Sequence, residues 1–309
     1  MTSGRKMPSH PTGSTARQSA PAGEPRITAV IVTYNNPFML EQVLRDLCRQ
    51  TMKLHKILVI DNSDETDATR GVTVKFPSVS YIQMAENVGT AGGFHTGLRE
   101  AVRDCEWVLT LDDDVRLRAD SMAALYRGFL DLQREGHRLG AVRAVGARHG
   151  GGTPNRLDDF AWRGTLISAE AIRRIGLPLP EYFIYADDVE FSMRLGEHGY
   201  EAYDIPDSKI MEQRTWDKLT KRILGKNVTC YAQDFRFYYA LRNSIHAYKK
   251  HDRYRSLLRT IVYAVKMFLF FCVLHKEERG QKLRAVFQGV ADGMRSRLGK
   301  NKRYLPGSL

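Results

Sequence analysis

From Arg26 onward the chain alternates between short, continuous apolar runs and longer segments whose apolar positions recur at helical spacing. "RITAVIVTYN" (26–35) is apolar on both of its alternating faces and closes on a polar turn. That is the pattern of a strand buried on both sides of a sheet. Asn36 then reads as an N-cap and Pro37 as the first residue of a helix over "PFMLEQVLRDLCRQ". "KILVIDNS" (56–63) repeats the buried strand and ends in an acidic turn; a weaker helix and the strand "SVSYIQM" (78–84) follow. After "AENVGTAGGFHTG" a helix runs to about Val102, and "EWVLTL" (106–111) is a fourth strand. Further on, Ser168 caps a helix that stops at Gly176, and another begins near Asp187. This alternation predicts an α/β fold with a mostly parallel central sheet and helices on both faces.

In open sheets of this kind, ligands bind beyond the carboxyl ends of the strands. The rule gathers "TYNN" (33–36), "DNSDE" (61–65), "ENVGTAGG" (86–93) and "DDD" (112–114) along one rim. Adjacent carboxylates about 4 Å apart repel by roughly 4 kcal/mol at a protein-surface dielectric. The triplet Asp112–Asp113–Asp114 is therefore cheap only when solvated or when a cation sits in it. The glycine-rich loop follows the third strand and lacks G-x-G-x-x-G spacing, which argues against an ordinary dinucleotide fold. Its amides could still approach a phosphate or a sugar. A second acidic cluster, Asp187, Asp188 and Glu190 in "EYFIYADDVEFSMRLGEHG", opens the later helix, where a helix dipole also favours carboxylates.

Composition adds bounds. With 309 residues, 43% of them hydrophobic, the chain can bury a large core. Its four cysteines form no C-x-x-C pair, which suits a reducing compartment better than a zinc ribbon or a disulfide framework. Residues 1–25, rich in Pro, Gly, Ser and Thr, read as a disordered tail rather than a signal peptide. Net charge is +12, and residues 251–309 hold 13 Lys and Arg against 4 Asp and Glu. Such a bias suggests an anionic partner. From about residue 214 the pattern turns helical and basic, so the expected division is an α/β domain at 26–213 and a helical region at 214–309. Within the latter, "SLLRTIVYAVKMFLFFCVL" (256–274) approaches spanning length but is interrupted by Arg259 and Lys266. These fall on one helical face with Arg255, as in a helix lying in a membrane interface. Packing on the molecule's own core or on a dimer partner is the competing reading, and homo-oligomerisation stays open. The region is expected to be separable, so that losing residues 256–309 leaves the site along the sheet rim intact.

In this order and spacing, "VIVTYNN", "VIDNSDET", "LDDDV" and "FIYADDVEFSMR" resemble the inverting nucleotide-sugar glycosyltransferases with the GT-A fold, over roughly residues 26–250. A narrower resemblance, carried by "ENVGTAGGFHTG", "GLPLPEYFIYADDVEFSMRL" and "FYYALRNS", is to the galactofuranosyltransferase branch; rhamnosyltransferases share most of that layout. The resemblance implies that Thr33, Asn35, Asp61 and Asn87 line the nucleotide pocket, with Asp113 beside the ribose. It implies that Asp112 and Asp114 hold Mn²⁺ or Mg²⁺ against the diphosphate, and that Asp188 is the general base. Asp187, Glu190 and Trp162 are then acceptor-side residues, and Arg194 is a diphosphate ligand or, equally, an ion-pair partner within its helix. The family often supplies a histidine as third metal ligand, but "IPDSKIMEQ" (205–213) contains none. Glu212 stands about where it is expected; His246 is an alternative.

The implied reaction is transfer of galactofuranose from UDP-galactofuranose, or of rhamnose from dTDP-rhamnose, to a polyprenyl-linked glycan in envelope polysaccharide synthesis. The enzyme is expected on the cytoplasmic face of the membrane, held peripherally to anionic lipid. A nucleotidyltransferase would need a basic G-x-G-type loop after the first strand, which "TYNN" does not supply. A non-catalytic nucleic-acid binder fits poorly, because the acidic rim repels phosphate and the positive charge lies mainly outside the sheet. No nucleic-acid partner is expected.

Overall fold

The computed structural model describes residues 25–147, 151–213, 218–223, 226–231, 233–273 and 278–305. The expected N-terminal tail therefore lies almost wholly outside the described residues.

The first half of the chain folds as its pattern predicts. Strands β1 (Ile27–Thr33), β2 (Lys56–Asp61), β3 (Val79–Gln83) and β4 (Trp107–Asp112) alternate with helices α1 (Pro37–Cys48), α2 (Asp67–Thr73) and α3 (Gly89–Ala101). They pair in parallel in the order β3-β2-β1-β4. Every residue of β1 is buried. Ile27, Ala29 and Ile31 face the core under α1, while Val30 and Val32 face the core under α3. A two-residue side-chain period with both faces apolar thus gives a strand covered on both sides. Helix α3 lies close on β1 because Gly93 and Gly97 present no side chain. An added Cβ at Gly97 would come within 2.3 Å of Val30.

Beyond β4 the sheet is mixed rather than parallel. The remaining strands are β5 (Val115–Leu117), β6 (Leu139–Gly146), β7 (Asn155–Leu157), β8 (Thr165–Ser168) and β9 (Glu201–Glu212). β8 pairs antiparallel with both β4 and β6, β9 runs parallel to β6, and β5 and β7 pair antiparallel with β9. Strand–helix alternation reveals parallel neighbours, whereas these reversals depend on pairings distant in sequence. Helix α4 (Ser121–Arg134) covers the α1 face; α5 (Ala169–Ile175) and α6 (Asp187–Glu197) cover the other. Ser168 caps α5 by accepting from the Ala171 amide, and Gly176 ends it with φ +87°.

The C-terminal region departs from expectation twice. First, β10 (Lys218–Ile223) and β11 (Lys226–Tyr231) pair antiparallel, so among the described residues the helical segment starts only at Asp234. Second, α7 (Asp234–Lys250), α8 (Tyr254–Val273) and α9 (Arg279–Met294) are not an appendage. Their buried faces, with Phe237, Tyr239, Phe270, Phe271 and Val286, form one apolar cluster with Phe183, just before α6. Tyr304, beyond α9, closes that cluster by stacking on Tyr238 at 4.2 Å.

Deleting residues 256–309 therefore exposes a large apolar cluster instead of leaving the rest intact. The truncated chain is expected to lose cooperative thermal unfolding, and a sharp transition near that of the full chain would contradict this packing.

Candidate active site

The carboxyl ends of β1, β2 and β4 open into a cavity of about 550 Å³. Its floor is built from hydrogen bonds among the rim residues. Thr33 Oγ1 and the Tyr34 amide both donate to Asp113 Oδ2, at 2.7 and 3.3 Å. Asn36 Nδ2 donates to Asp113 Oδ1 at 3.0 Å. Asn36 heads α1 as its cap residue, but its side chain makes no capping bond and is directed to this carboxylate. Asn35, with φ +50°, lines the cavity and exchanges bonds with Asp64 through both ends of its amide. Asn87 also lines it, and its Oδ1 accepts from the Gly89 amide at 2.8 Å. Gly89 sits at φ +71°, and a Cβ there would fall 2.0 Å from the Phe183 carbonyl oxygen, so only glycine fits.

Asp112, Asp113 and Asp114 all line the cavity. Burial raises Asp112 to about 7, helped by the charges of Asp114, Asp113 and Asp187 and opposed by Arg163. Burial likewise raises Asp113 to about 6, against the bonds from Thr33 and Asn36. These are oxygen donors crowded at one point, the chemistry of a hard divalent cation. Among the described residues no set of three or more His, Cys, Asp or Glu is arranged to hold a metal. Asp112 and Asp114 thus fit a cation as a carboxylate pair that needs further oxygens from elsewhere. The backbone of Glu212 pairs with Val115 at the end of β9, but its side chain lies outside the described residues. His246 is not among the cavity-lining residues; its Nδ1 lies 2.7 Å from the Tyr182 hydroxyl.

The opposite wall brings the second acidic cluster to the first. Asp187 and Asp188 line the same cavity. Asp187 is buried and accepts a 2.7 Å bond from the Trp162 indole, which packs against Phe94 and Phe191. Trp162 is thus both cavity wall and core. Asp188 is only half-buried. Its carboxyl is held well above the usual range by burial and by the Asp187 charge, with Asp112 adding to the effect.

Three predicted site residues stand elsewhere. Asp61 is fully buried behind the rim, accepting from the Ser63 amide at 2.9 Å and the Tyr81 hydroxyl at 2.7 Å; Asn62, next in the chain, lines the cavity instead. Glu190 and Arg194 face away from the cavity and pair with each other. Arg194 Nε lies 2.9 Å from Glu190 Oε2, and its other nitrogens donate to the Ile175 and Leu177 carbonyls. Burial opposes ionisation of Glu190, but Arg194 and Lys250 outweigh it and lower its pKa. Of the two readings of Arg194, the i, i+4 geometry gives the ion-pair partner within its helix.

Residues without an expected role complete the site. Tyr231, Gln233, Phe235 and Arg236, from β11 and the start of α7, line the cavity. Deeper, Arg242 and Asn243 are fully buried. Asn243 Nδ2 donates to the carbonyls of Tyr182, Ile184 and Tyr185 at 2.8–2.9 Å, and Arg242 NH2 to those of Glu181 and Tyr182. They hold a loop in which Phe183, Tyr185 and Ala186 all have positive φ, immediately before Asp187. A cation and an amide side by side inside the apolar "FYYALRNS" were the available signal, since buried polar groups must find partners.

An acid-lined cavity at the carboxyl ends of a mixed sheet is the arrangement of the GT-A fold. The mannosyltransferase PcManGT from Pyrobaculum calidifontis, solved with GDP-Man and Mn²⁺, superposes with a TM-score of 0.57 at 18% identity, covering 89% of this chain and 76% of that one. Residues 28–144 match the family model described as Glycosyl transferase family 2. It is 25% identical over 286 residues to galactofuranosyltransferase GlfT2 of Mycobacterium tuberculosis, covering 76% of this chain and 43% of that protein. It is 26% identical over 261 residues to dTDP-rhamnosyl transferase RfbF of Shigella flexneri, covering 77% and 86%. The chain thus spans less than half the length of GlfT2.

Two outcomes follow from this geometry. Asn243→Ala removes the donor shared by three carbonyls and is expected to cost about 2–3 kcal/mol of stability, with kcat falling more than nucleotide affinity. Equal losses in both would show that the loop does not specifically serve Asp187 and Asp188. Asp112 and Asp113, raised to about 7 and 6, bind protons more tightly folded than unfolded. Without metal, thermal stability should therefore rise as pH is lowered through 7 toward 4. Added Mn²⁺ should raise the melting temperature more at about pH 8 than at about pH 5, because protons compete for the same oxygens. A metal effect independent of pH would argue against these ligands.

Proposed function

We propose that this chain is a metal-dependent, inverting glycosyltransferase that transfers galactofuranose from UDP-galactofuranose to a polyprenyl-linked glycan. The observation that carries the reading is the meeting of Asp188 with Asp112 and Asp114 in one cavity. Asp188 opens in part to the cavity, and burial and the Asp187 charge hold its carboxyl well above the usual carboxylate range, which makes it a stronger proton acceptor than a free aspartate. It accepts the proton of an acceptor hydroxyl as that oxygen bonds to the anomeric carbon. The bond from that carbon to the diphosphate breaks on the opposite face, and configuration inverts. Asp187, fixed by the Trp162 indole, holds negative charge beside the base and keeps its pKa high. Asp112 and Asp114 would hold Mn²⁺ or Mg²⁺, whose positive charge, when bound, favours departure of the nucleoside diphosphate. Thr33 and Asn36 orient Asp113, which with Asn35, Asn62 and Asn87 takes the nucleoside.

The donor assignment rests on GlfT2, described as a galactofuranosyltransferase. A dTDP-rhamnose donor is the second reading, favoured by the wider coverage of the dTDP-rhamnosyl transferase RfbF. A lipid-linked acceptor is supported by α8, a helix long and apolar enough to cross a membrane, with one face against the core. Its other face exposes Tyr254, Leu258, Val262, Val265, Leu269 and Val273, beside exposed Arg255, Arg259 and Lys266. An apolar ridge flanked by cations suits peripheral contact with an anionic membrane surface, which would place the enzyme at the cytoplasmic leaflet.

Turnover with and without Mn²⁺ across UDP-galactofuranose, UDP-galactopyranose, UDP-glucose and dTDP-rhamnose tests the donor. Metal-dependent preference for UDP-galactofuranose is expected, and preference for dTDP-rhamnose would move the substrate while keeping the mechanism. Asp188→Asn is expected to lower kcat by about 10²–10⁴-fold and to leave nucleotide affinity unchanged. Normal turnover by that variant would remove Asp188 from the role of base.

A further inference from the structure

The last described residues reach back across the molecule to the rim of the cavity. After α9, Ser296 and Gly299 adopt positive φ and turn the chain sharply. The segment is then pinned along its length. The Gly299 amide donates to the Glu181 carbonyl at 2.8 Å, and the Gly299 carbonyl accepts from Arg242 NH1 at 2.5 Å. The Asn301 amide and side chain donate to the hydroxyls of Tyr239 and Tyr238, and Tyr304 stacks on Tyr238. Lys300 is presented from this fixed turn. Its Nζ lies 2.9 Å from Glu86 Oε2, donates to the Asn87 carbonyl at 2.8 Å, and sits 5.9 Å from the centre of the Phe183 ring.

The loop it grips is the one that opens α3. Asn87, Gly89 and Thr90 line the cavity. On its other side the loop is held by Asn62, whose Nδ2 donates to the Gly89 carbonyl at 2.9 Å, and by the Ala91 amide, which donates to the Phe183 carbonyl at 3.0 Å. Lys300 is therefore the tether on the Glu86 side of a short loop whose other end is fixed to β2 and to the catalytic loop. Lys300 is about one-third exposed, so the ion pair with exposed Glu86 contributes little to global stability. The bond to the Asn87 carbonyl instead fixes where the Asn87 side chain stands in the cavity.

We infer that Lys300 is a positioning residue of the donor pocket: the C-terminal turn at 299–304 holds the Asn87 loop in its ligand-binding form. This rests on reading the cavity as a nucleotide-sugar site. A pocket loop fixed in advance does not lose its freedom when ligand binds, and that saving appears as affinity.

The test measures binding of UDP and of dTDP with Mn²⁺ to the full chain, alongside donor KM, kcat and melting temperature. Lys300→Ala should weaken nucleoside diphosphate binding and raise donor KM by about tenfold, with kcat within about twofold and the melting temperature little moved. Lys300→Arg, which keeps a cation and donors, should recover most of the loss. In a double-mutant cycle, Lys300→Ala combined with Asn87→Ala should cost no more than Asn87→Ala alone, because both act through one side chain. Unchanged binding in Lys300→Ala, or fully additive effects with Asn87→Ala, would overturn the inference. Failure of the unmodified chain to bind either nucleotide would overturn both the inference and the reading of the cavity it depends on.

Discussion

The site depends above all on the clamp that Arg242 and Asn243 place on the loop before α6. Phe183, Tyr185 and Ala186 are held at positive φ, where side-chain-bearing residues are strained by about 1–3 kcal/mol each. Such a conformation persists only when its surroundings over-determine it. Here a fully buried guanidinium and a fully buried amide satisfy the carbonyls of Glu181, Tyr182, Ile184 and Tyr185. The result is a sharp entry into α6 that delivers Asp187 and Asp188 to the cavity. The same Arg242 holds Gly299 and so anchors the turn that carries Lys300. One pair of residues on α7 thus joins the loop before α6 to the turn that carries Lys300.

Within that frame, environment separates carboxylates that look alike in sequence. Asp187, Asp188 and Glu190 lie within four positions of one another. Glu190 is neutralised by Arg194 and Lys250 and serves packing. Asp187 is fixed by an indole, and Asp188 is left half-open with a raised pKa. Asp112, Asp113 and Asp114 separate in the same way: Asp113 is engaged by Thr33, Tyr34 and Asn36 as part of the cavity floor. The negative potential left at Asp112 and Asp188 is what a cation and an acceptor proton would relieve.

The C-terminal third is where local reading and structure diverge most. A basic helical tail was legible, and its amphipathic character survives in the exposed ridge of α8. Its integration was not legible. The aromatic residues of α7 that resemble a family motif form a shared core with Phe183, and β11 and α7 supply a wall of the cavity. Periodicity shows that a helix has an apolar face; it does not show what that face meets.

What the sequence determined by itself was every feature that depends on neighbours a few residues apart. The buried parallel strands, the start of α1 at Pro37, the capped helix from Ser168 to Gly176 and the polar loops along one sheet edge all follow from side-chain period and backbone chemistry. The tertiary structure alone decided which residues share a site. Asp61 turned behind the rim while Asn62 faced it, Arg194 went to Glu190, and Arg242, Asn243 and Lys300 gained roles through carbonyls far away in the chain. Those outcomes depend on the reversed pairings of β8 and β9 and on the packing of α7 against the loop before α6. Such contacts close long stretches of chain, and no local pattern encodes their partners.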